Sequence, residues 1–148
     1  MKRHIFISLA LIGSILINMA TATSASANTK AQADVLEHGK HIANIAGCID
    51  CQTPFQEEYQ DPAKMTLDRE SKLVAGGRPF DLGPAGVLLT RNLTPDQEPG
   101  IGSWSDEQVK LAVKTGVSAD GKVLFPVMPY FVYKDMADAD LDALVVYL

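Results

Sequence analysis

The chain has 148 residues, of which 47% are hydrophobic and 21% charged, and its formal net charge is −5. That length suits one small domain behind a leader segment, since domains cluster at roughly 100–150 residues. The acidic balance argues against a nucleic-acid partner, which calls for a basic face, and otherwise bears on solubility and on steering toward basic protein surfaces.

Lys2, Arg3 and His4 make a basic start, an apolar run from Ile5 to Met19 follows, and Ala25-Ser26-Ala27 supplies the small residues of a cleavage site. This pattern predicts a secretory signal peptide over residues 1–27, cut before Asn28. A retained anchor is the alternative, but the run is short for a span and no later segment offers about 20 apolar residues. Removing residues 1–27 from the 148 leaves 121, and removing Lys2 and Arg3 from the 13 basic side chains leaves 11 against 18 acidic ones, a formal −7.

Asn28 to Asp34 is polar and is expected to be mobile. Val35 to Ala46 is predicted as a helix, with Val35, Ile42, Ile45 and Ala46 near helical spacing and Gly47 as its stop. Gly39 inside it lowers helix propensity and marks a place for the close approach of another helix. Gln52 to Pro84 is loop-rich, broken by Pro54, Pro62, Gly76-Gly77-Arg78-Pro79 and Gly83-Pro84. Gly86 to Thr90 suits a short extended piece. Ser105-Asp106-Glu107-Gln108 has the form of a capping box and opens a helix with Val109, Ala112 and Val113 on its apolar face and Gly116 at its end. Asp120-Gly121 is a turn. Phe125-Pro126-Val127-Met128-Pro129-Tyr130 holds two prolines and is neither regular helix nor central strand. Asp138 to Leu148 is the last predicted helix, with Asp138 and Asp140 at its positive end. The sequence stops inside that helix, as a fragment would, with any further domain left open.

The chemistry-bearing stretch is Cys48-Ile49-Asp50-Cys51-Gln52, which holds the only two cysteines of the chain. In an exported protein a Cys48–Cys51 disulfide is the plain expectation. Such a bridge closes a very small loop and adds little entropic stability. The spacing favours chemistry instead: haem attachment, a redox dithiol, or a soft metal such as copper(I). A c-type haem site reads C-x-x-C-H, and here Gln52 occupies the histidine position. Gln52 offers a neutral amide oxygen or a poorly basic nitrogen. The remaining histidines of the mature chain, His38 and His41, precede the cysteines on the first predicted helix and are expected on its surface or against another helix. No hydrolase, phosphate-loop or zinc constellation is present in the sequence.

Gly39 to Pro54, around Cys48 and Cys51, resembles the haem-binding segment of a class I cytochrome c. Asn92-Leu93-Thr94-Pro95-Asp96, Gly100-Ile101-Gly102-Ser103-Trp104-Ser105-Asp106-Glu107, Asp120-Gly121-Lys122 and Phe125-Pro126-Val127-Met128-Pro129-Tyr130 resemble the cytochrome c domains of membrane-associated periplasmic dehydrogenases of the alcohol type. The resemblance covers about Val35 to Leu148, with its motifs in order. It implies an all-α, cytochrome c-like fold of three to four helices joined by long loops around a haem pocket, over residues 28–148. It implies haem c bound by Cys48 and Cys51, Met128 as the distal iron ligand, Gln52 at the proximal-ligand position, and Trp104 near the haem. A thioether on a proline-flanked loop is a soft, neutral ligand that raises the reduction potential when histidine is its partner. Met65 and Met136 lack such a setting and are expected as packing or surface residues.

Leu88, Leu89, Val113, Leu124, Phe125, Tyr130, Phe131 and Tyr133 are candidate pocket walls, and Arg78 and Arg91 are candidate partners for haem propionates. The function implied is that of a periplasmic electron carrier rather than an enzyme. It would take electrons from a dehydrogenase subunit and pass them to a respiratory acceptor, meeting the membrane only through a partner or an uncleaved signal segment. The alternative is a haem-free, cytochrome-like binding or assembly subunit with a Cys48–Cys51 disulfide or a soft-metal site.

Overall fold

A computed structural model describes residues 27–56 and 66–148. The signal-peptide expectation, Pro62 and Met65 lie outside the described residues, apart from Ala27 at the end of the cleavage pattern. The chain divides into a unit of Met1–Val35 and a unit of Leu36–Leu148. Residues 27–45 are helical and form α1. Helix therefore begins earlier than the expected Val35, and residues 28–34 are helical. Ala31, Ala33 and Gln32 favour helix, and Lys30 pairs with Asp34 one turn on at 2.6 Å, so no burial is needed to hold this exposed stretch.

In the second unit, α1 buries Ile42 and Ala43. Gly47, with φ of 74°, ends its last turn and leads directly into the short helix α2, Cys48–Gln52. An antiparallel hairpin follows, with β1 (Pro79–Asp81) paired to β2 (Val87–Leu89) in the register Pro79↔Leu89, Phe80↔Leu88 and Asp81↔Val87. A single 3₁₀ turn, Gly83–Ala85, joins the two strands. The expectation of an all-α fold of three to four helices holds in part: the described residues form five helices, and this small two-stranded sheet stands beside them. Of the two strands, only the Gly86–Thr90 region was expected to be extended.

Helix α3 (Asp106–Thr115) is capped as its sequence predicts. The Ser105 hydroxyl accepts from the Gln108 N–H, and the Gln108 side chain accepts from the Ser105 N–H at 2.8 Å. Gly116, with φ of 72°, closes it. Helix α4 (Tyr130–Tyr133) follows the proline-flanked loop, and α5 (Asp138–Tyr147) ends the described chain. The core cluster joins Ile42 and Ala43 of α1, Cys48 and Ile49 of α2, Val113 of α3, Leu141 and Leu144 of α5, and Val74 from the intervening loop. Met136 packs against this cluster.

The approach of α1 to α5 depends on one missing side chain. A Cβ built on Gly39 would lie 1.9 Å from the Ala143 carbonyl oxygen and 2.8 Å from the Tyr147 Cβ. Around that crossing, three aspartates of α5 each reach a neighbouring helix. Asp138 pairs with Lys114 (2.8 Å), Asp140 with His38 (2.7 Å) and Asp142 with Lys110 (2.6 Å). These are exposed pairs and add little stability each, but together they favour one register of α5 against α1 and α3.

Candidate functional site

Within the second unit, α2, the end of the hairpin, α3 and the loop before α4 surround a cavity of about 540 Å³. That size is in the range of small-molecule and cofactor sites, roughly 300–1,000 Å³. Helix α2 is the base of the arrangement. A span of one turn separates Cys48 from Cys51, so the two thiols project from the same side of the helix, and both line the cavity together with Gln52. Both cysteines are free thiols.

The backbone around α2 is held from several directions. The Tyr133 hydroxyl donates to the Ala46 carbonyl just before the helix. The Arg78 guanidinium donates to the Asp50 carbonyl and lies over the rings of Phe55 (4.7 Å) and Phe80 (5.5 Å). Past the helix, the fully buried Thr53 accepts from the Val74 N–H at 3.1 Å, and the Gln52 carbonyl accepts from Gly76 N–H at 2.7 Å. Val74 holds a left-handed backbone, φ 50°, which is costly for a β-branched residue and is kept here by its neighbours. Gly76 leaves no room for a side chain: its Cβ would meet the Arg91 carbonyl carbon at 2.6 Å. The loop after α2 is thereby pressed against the strand that carries the next wall.

That wall runs from Leu88 and Leu89 of β2 through Arg91 and Asn92 to Leu93. Ile101 and Trp104 lead from it to Val109, Ala112 and Val113 of α3. Ile101 is brought in by a tight turn in which Gly100 and Gly102 pass too close to the Thr94 and Pro95 carbonyls for any Cβ, at 2.1 and 2.0 Å. The last wall is the loop from Val123 to Pro129, which contributes Leu124, Phe125, Val127 and Met128, and beyond it Tyr133. The lining is largely apolar. The polar side chains on it include Glu98, Arg91, Asp120 and Lys122, and the last two pair at 2.6 Å. Lys122 and Ser118 hold the Asp120 carboxyl far below the usual carboxylate range.

Burial pushes the Cys48 thiol up to about 11, with the neighbouring Cys51 adding to the effect. Burial also raises the Tyr133 phenol to about 12, followed by the charges that Cys48 and Cys51 would carry. At neutral pH the Cys48 thiol and the Tyr133 phenol are therefore both protonated.

Cys48, Cys51, Gln52 and Met128 all line the one cavity, and Trp104 lines it as well. Of the eight expected wall residues, Leu88, Leu89, Val113, Leu124, Phe125 and Tyr133 line it. Tyr130 and Phe131 do not. Tyr130 packs its ring on Gly116, and Phe131 meets it edge-on at 6.0 Å on the outer surface. Arg91 lines the cavity, whereas Arg78 is engaged beneath α2 between Phe55 and Phe80. Neither His38 nor His41 lines the cavity; His38 is bound to Asp140 and His41 is exposed. Ile101, Leu93 and Val123 were not expected in the lining. The Gly100-Ile101-Gly102 pattern carried a signal for the first, since two glycines around one apolar residue mark a tight turn aimed inward.

No family model matches the chain. It is 36% identical over 116 residues to a subunit of nicotinate dehydrogenase from Pseudomonas putida, covering 78% of this chain and 8% of that protein. It is 30% identical over 129 residues to the gluconate 2-dehydrogenase cytochrome c subunit of Pantoea cypripedii, covering 84% of this chain and 25% of the relative. To the fructose dehydrogenase cytochrome subunit of Gluconobacter japonicus it is 31% identical over 113 residues, covering 76% and 20%. The chain is homologous to segments of dehydrogenase cytochrome subunits. It spans a quarter or less of the length of these three relatives.

The cavity can be tested against the haem c that a cytochrome c implies. Two thiols on one helical turn, a thioether on a separate loop and apolar walls fit such a group. Gln52 does not fit the imidazole donor of the C-x-x-C-H pattern, because an amide is a weak ligand. Among the described residues no group of three or more His, Cys, Asp or Glu side chains is arranged to hold a metal ion by itself. Among the described residues, too, no helix is long and apolar enough to cross a membrane.

Proposed function

We propose that the chain is an exported electron-transfer domain carrying haem c covalently on Cys48 and Cys51. The carrying observation is that Cys48, Cys51 and Met128, from two separate elements, line one apolar cavity in a homologue of dehydrogenase cytochrome subunits. Cys48 and Cys51 would hold the haem as two thioethers, each S–H adding across a vinyl group, sulfur to one carbon and hydrogen to the other, with no net redox change. Once bound, the haem supplies a one-electron centre.

The protein's part is to place and shield that centre. Helix α2 presents both thiols from one side, and Tyr133 and Arg78 hold its backbone. Met128 offers a neutral sulfur from a loop that Pro126 and Pro129 stiffen. Leu124, Val113 and Trp104 exclude water from the walls. The dehydrogenase named in each of these three relatives supports a dehydrogenase subunit as the electron donor, and the acceptor in this reading is a respiratory component. The exported form begins at Asn28 and works in the periplasm, at the membrane through its partner.

Gln52 favours a second reading, a haem-free binding or assembly subunit that keeps Cys48 and Cys51 as a disulfide or a soft-metal pair. The two are separated by producing the full chain with haem-attachment machinery, beside Gln52→His, and recording the pyridine haemochrome spectrum and intact mass. Haem on the native chain supports the electron carrier. Haem on Gln52→His alone assigns the native chain to the haem-free subunit.

A further inference from the structure

The cavity brings together three sulfur-bearing side chains from two elements. Cys48 and Cys51 border it from one turn of α2, and Met128 borders it from the loop before α4. Both cysteines are free thiols. Met128 also packs against the core cluster to which Cys48 belongs. Its unbranched side chain has three rotatable bonds, so its thioether adapts to partners held by the shorter cysteines. Nitrogen and carboxylate donors are engaged elsewhere or stand in solvent. His38 is bound to Asp140 at 2.7 Å and is not on the lining. Asp120, on the lining, pairs with Lys122 at 2.6 Å and accepts from Ser118, and Glu98, the other carboxylate there, is exposed.

A ligand at Cys48 must displace a proton, because burial keeps that thiol protonated at neutral pH. Metal ions do this, since thiols bind them only as thiolates. The donor set then selects the ion. Zinc asks for four ligands in a tetrahedron, and among the described residues no group of three or more His, Cys, Asp or Glu side chains is arranged to hold a metal. Copper(II) favours tetragonal nitrogen and oxygen donors, whereas copper(I) takes thiolate and thioether sulfur.

We propose that Cys48, Cys51 and Met128 form a copper(I) site in the haem-free chain, with two thiolates and one thioether around a single ion. The inference rests on the haem-free reading above and adds to it the ion and the third ligand. The thiol protons pass to solvent as the sulfurs bind, and no electron is exchanged, since the metal enters and stays as copper(I). The apolar side chains of Val113, Leu124 and Trp104 on the same lining keep water from the ion.

For the test, the full chain is produced without haem-attachment machinery, kept reduced under nitrogen, and titrated with copper(I) held by the coloured chelator bicinchoninate. The native chain is expected to take up one copper(I). Cys48→Ser and Cys51→Ser are each expected to take up none, and Met128→Leu, which nearly keeps the volume, to bind about tenfold or more weakly. Met136→Leu alters a methionine that packs against the core but is not on the lining, and is expected to match the native chain. X-ray absorption of the copper-loaded native chain reads the ligands without any substitution, and sulfur ligands alone are expected. Nitrogen or oxygen ligands, less than one copper per chain, or an affinity unchanged in Met128→Leu would overturn the inference. Haem taken up by the native chain when the attachment machinery is supplied would instead defeat the haem-free reading on which it rests.

Discussion

The Cys48 thiol ionises only near pH 11 in the fold, because its thiolate would lie away from water and beside Cys51. An unfolded chain releases that proton from about 9.0, its ordinary value. Between those values the folded state holds more protons than the unfolded one, so stability falls as pH rises. The contribution is fully present below pH 9 and is lost as pH passes through 11, an effect of about 3 kcal/mol for a shift of this size. Apoprotein is therefore expected to lose urea resistance across pH 9–11, and Cys48→Ala to show a flatter pH profile over that window. Equal slopes in the two proteins would show that the thiol is more solvated than its surroundings indicate. The phenol of Tyr133 shifts in the same direction, from 10.0 to about 12, so its own loss adds to this one above pH 10 and the slope between pH 9 and 10 is the part that reports Cys48. Its hydroxyl has a separate role: Tyr133→Phe leaves the Ala46 carbonyl without that donor and is expected to cost about 1–2 kcal/mol in chemical denaturation. The sequence marks Tyr133 only as an aromatic wall. Its bond to a carbonyl 87 positions away has no local signature and emerges only when α4 is placed beside α2.

The helix elements separate into those legible locally and those set by packing. The capping box at Ser105 and the glycine stops at Gly47 and Gly116 are short-range chemistry, and the structure has each where the sequence places it. Ser105→Ala should accordingly cost about 1 kcal/mol, measured by denaturant unfolding. Gly39 was legible as a close approach, though the sequence does not say to what. The two glycines of the α1–α2 segment predict different penalties. Gly39→Ala drives a methyl group into the Ala143 carbonyl and must separate α1 from α5, an overpacking cost of about 1–3 kcal/mol or more. Gly47→Ala meets no atom and costs only the left-handed backbone, roughly 1–2 kcal/mol. Thermal unfolding of the two variants should place Gly39→Ala clearly below Gly47→Ala; the reverse order would mean that the helix crossing yields easily. The hairpin was less legible. Pro79 and Asp81 are poor strand residues, and β1 is extended because Phe80 pairs with Leu88 across from it rather than because of its own propensity. The outward place of Tyr130 and Phe131 has a similar origin. A four-residue helix cannot turn Tyr130, Phe131 and Tyr133 to one side, and the close fit of Tyr130 on Gly116 leaves Tyr133 to face α2.

At the scale of the second unit, the buried cluster and the cavity loops have unequal support. Ile42, Ile49, Val113, Leu141 and Leu144 form a continuous contact among four helices. By contrast Leu89, Val123, Phe125 and Val127 border the cavity and remain exposed, so these loops gain little from burial on their own. Each apolar side chain left in water forfeits about 1.5–3 kcal/mol that full burial would give. An apolar plate bound in the cavity would cover them and tie α2, the hairpin and the Met128 loop to one another. Long irregular loops in so small a unit are accounted for in this way, as segments organised by what they enclose. The expected outcome is a split in hydrogen exchange. In apoprotein, amides of α1, α3 and α5 should be protected while those of residues 88–93 and 122–128 exchange quickly. Haem loading should slow the second group far more than the first. Comparable slowing everywhere would mean that the prosthetic group stabilises the fold only globally, and no slowing at residues 122–128 would remove Met128 from the proposed iron site. The contrast follows from burial alone, and it therefore does not depend on what the Gln52 amide meets in the cavity.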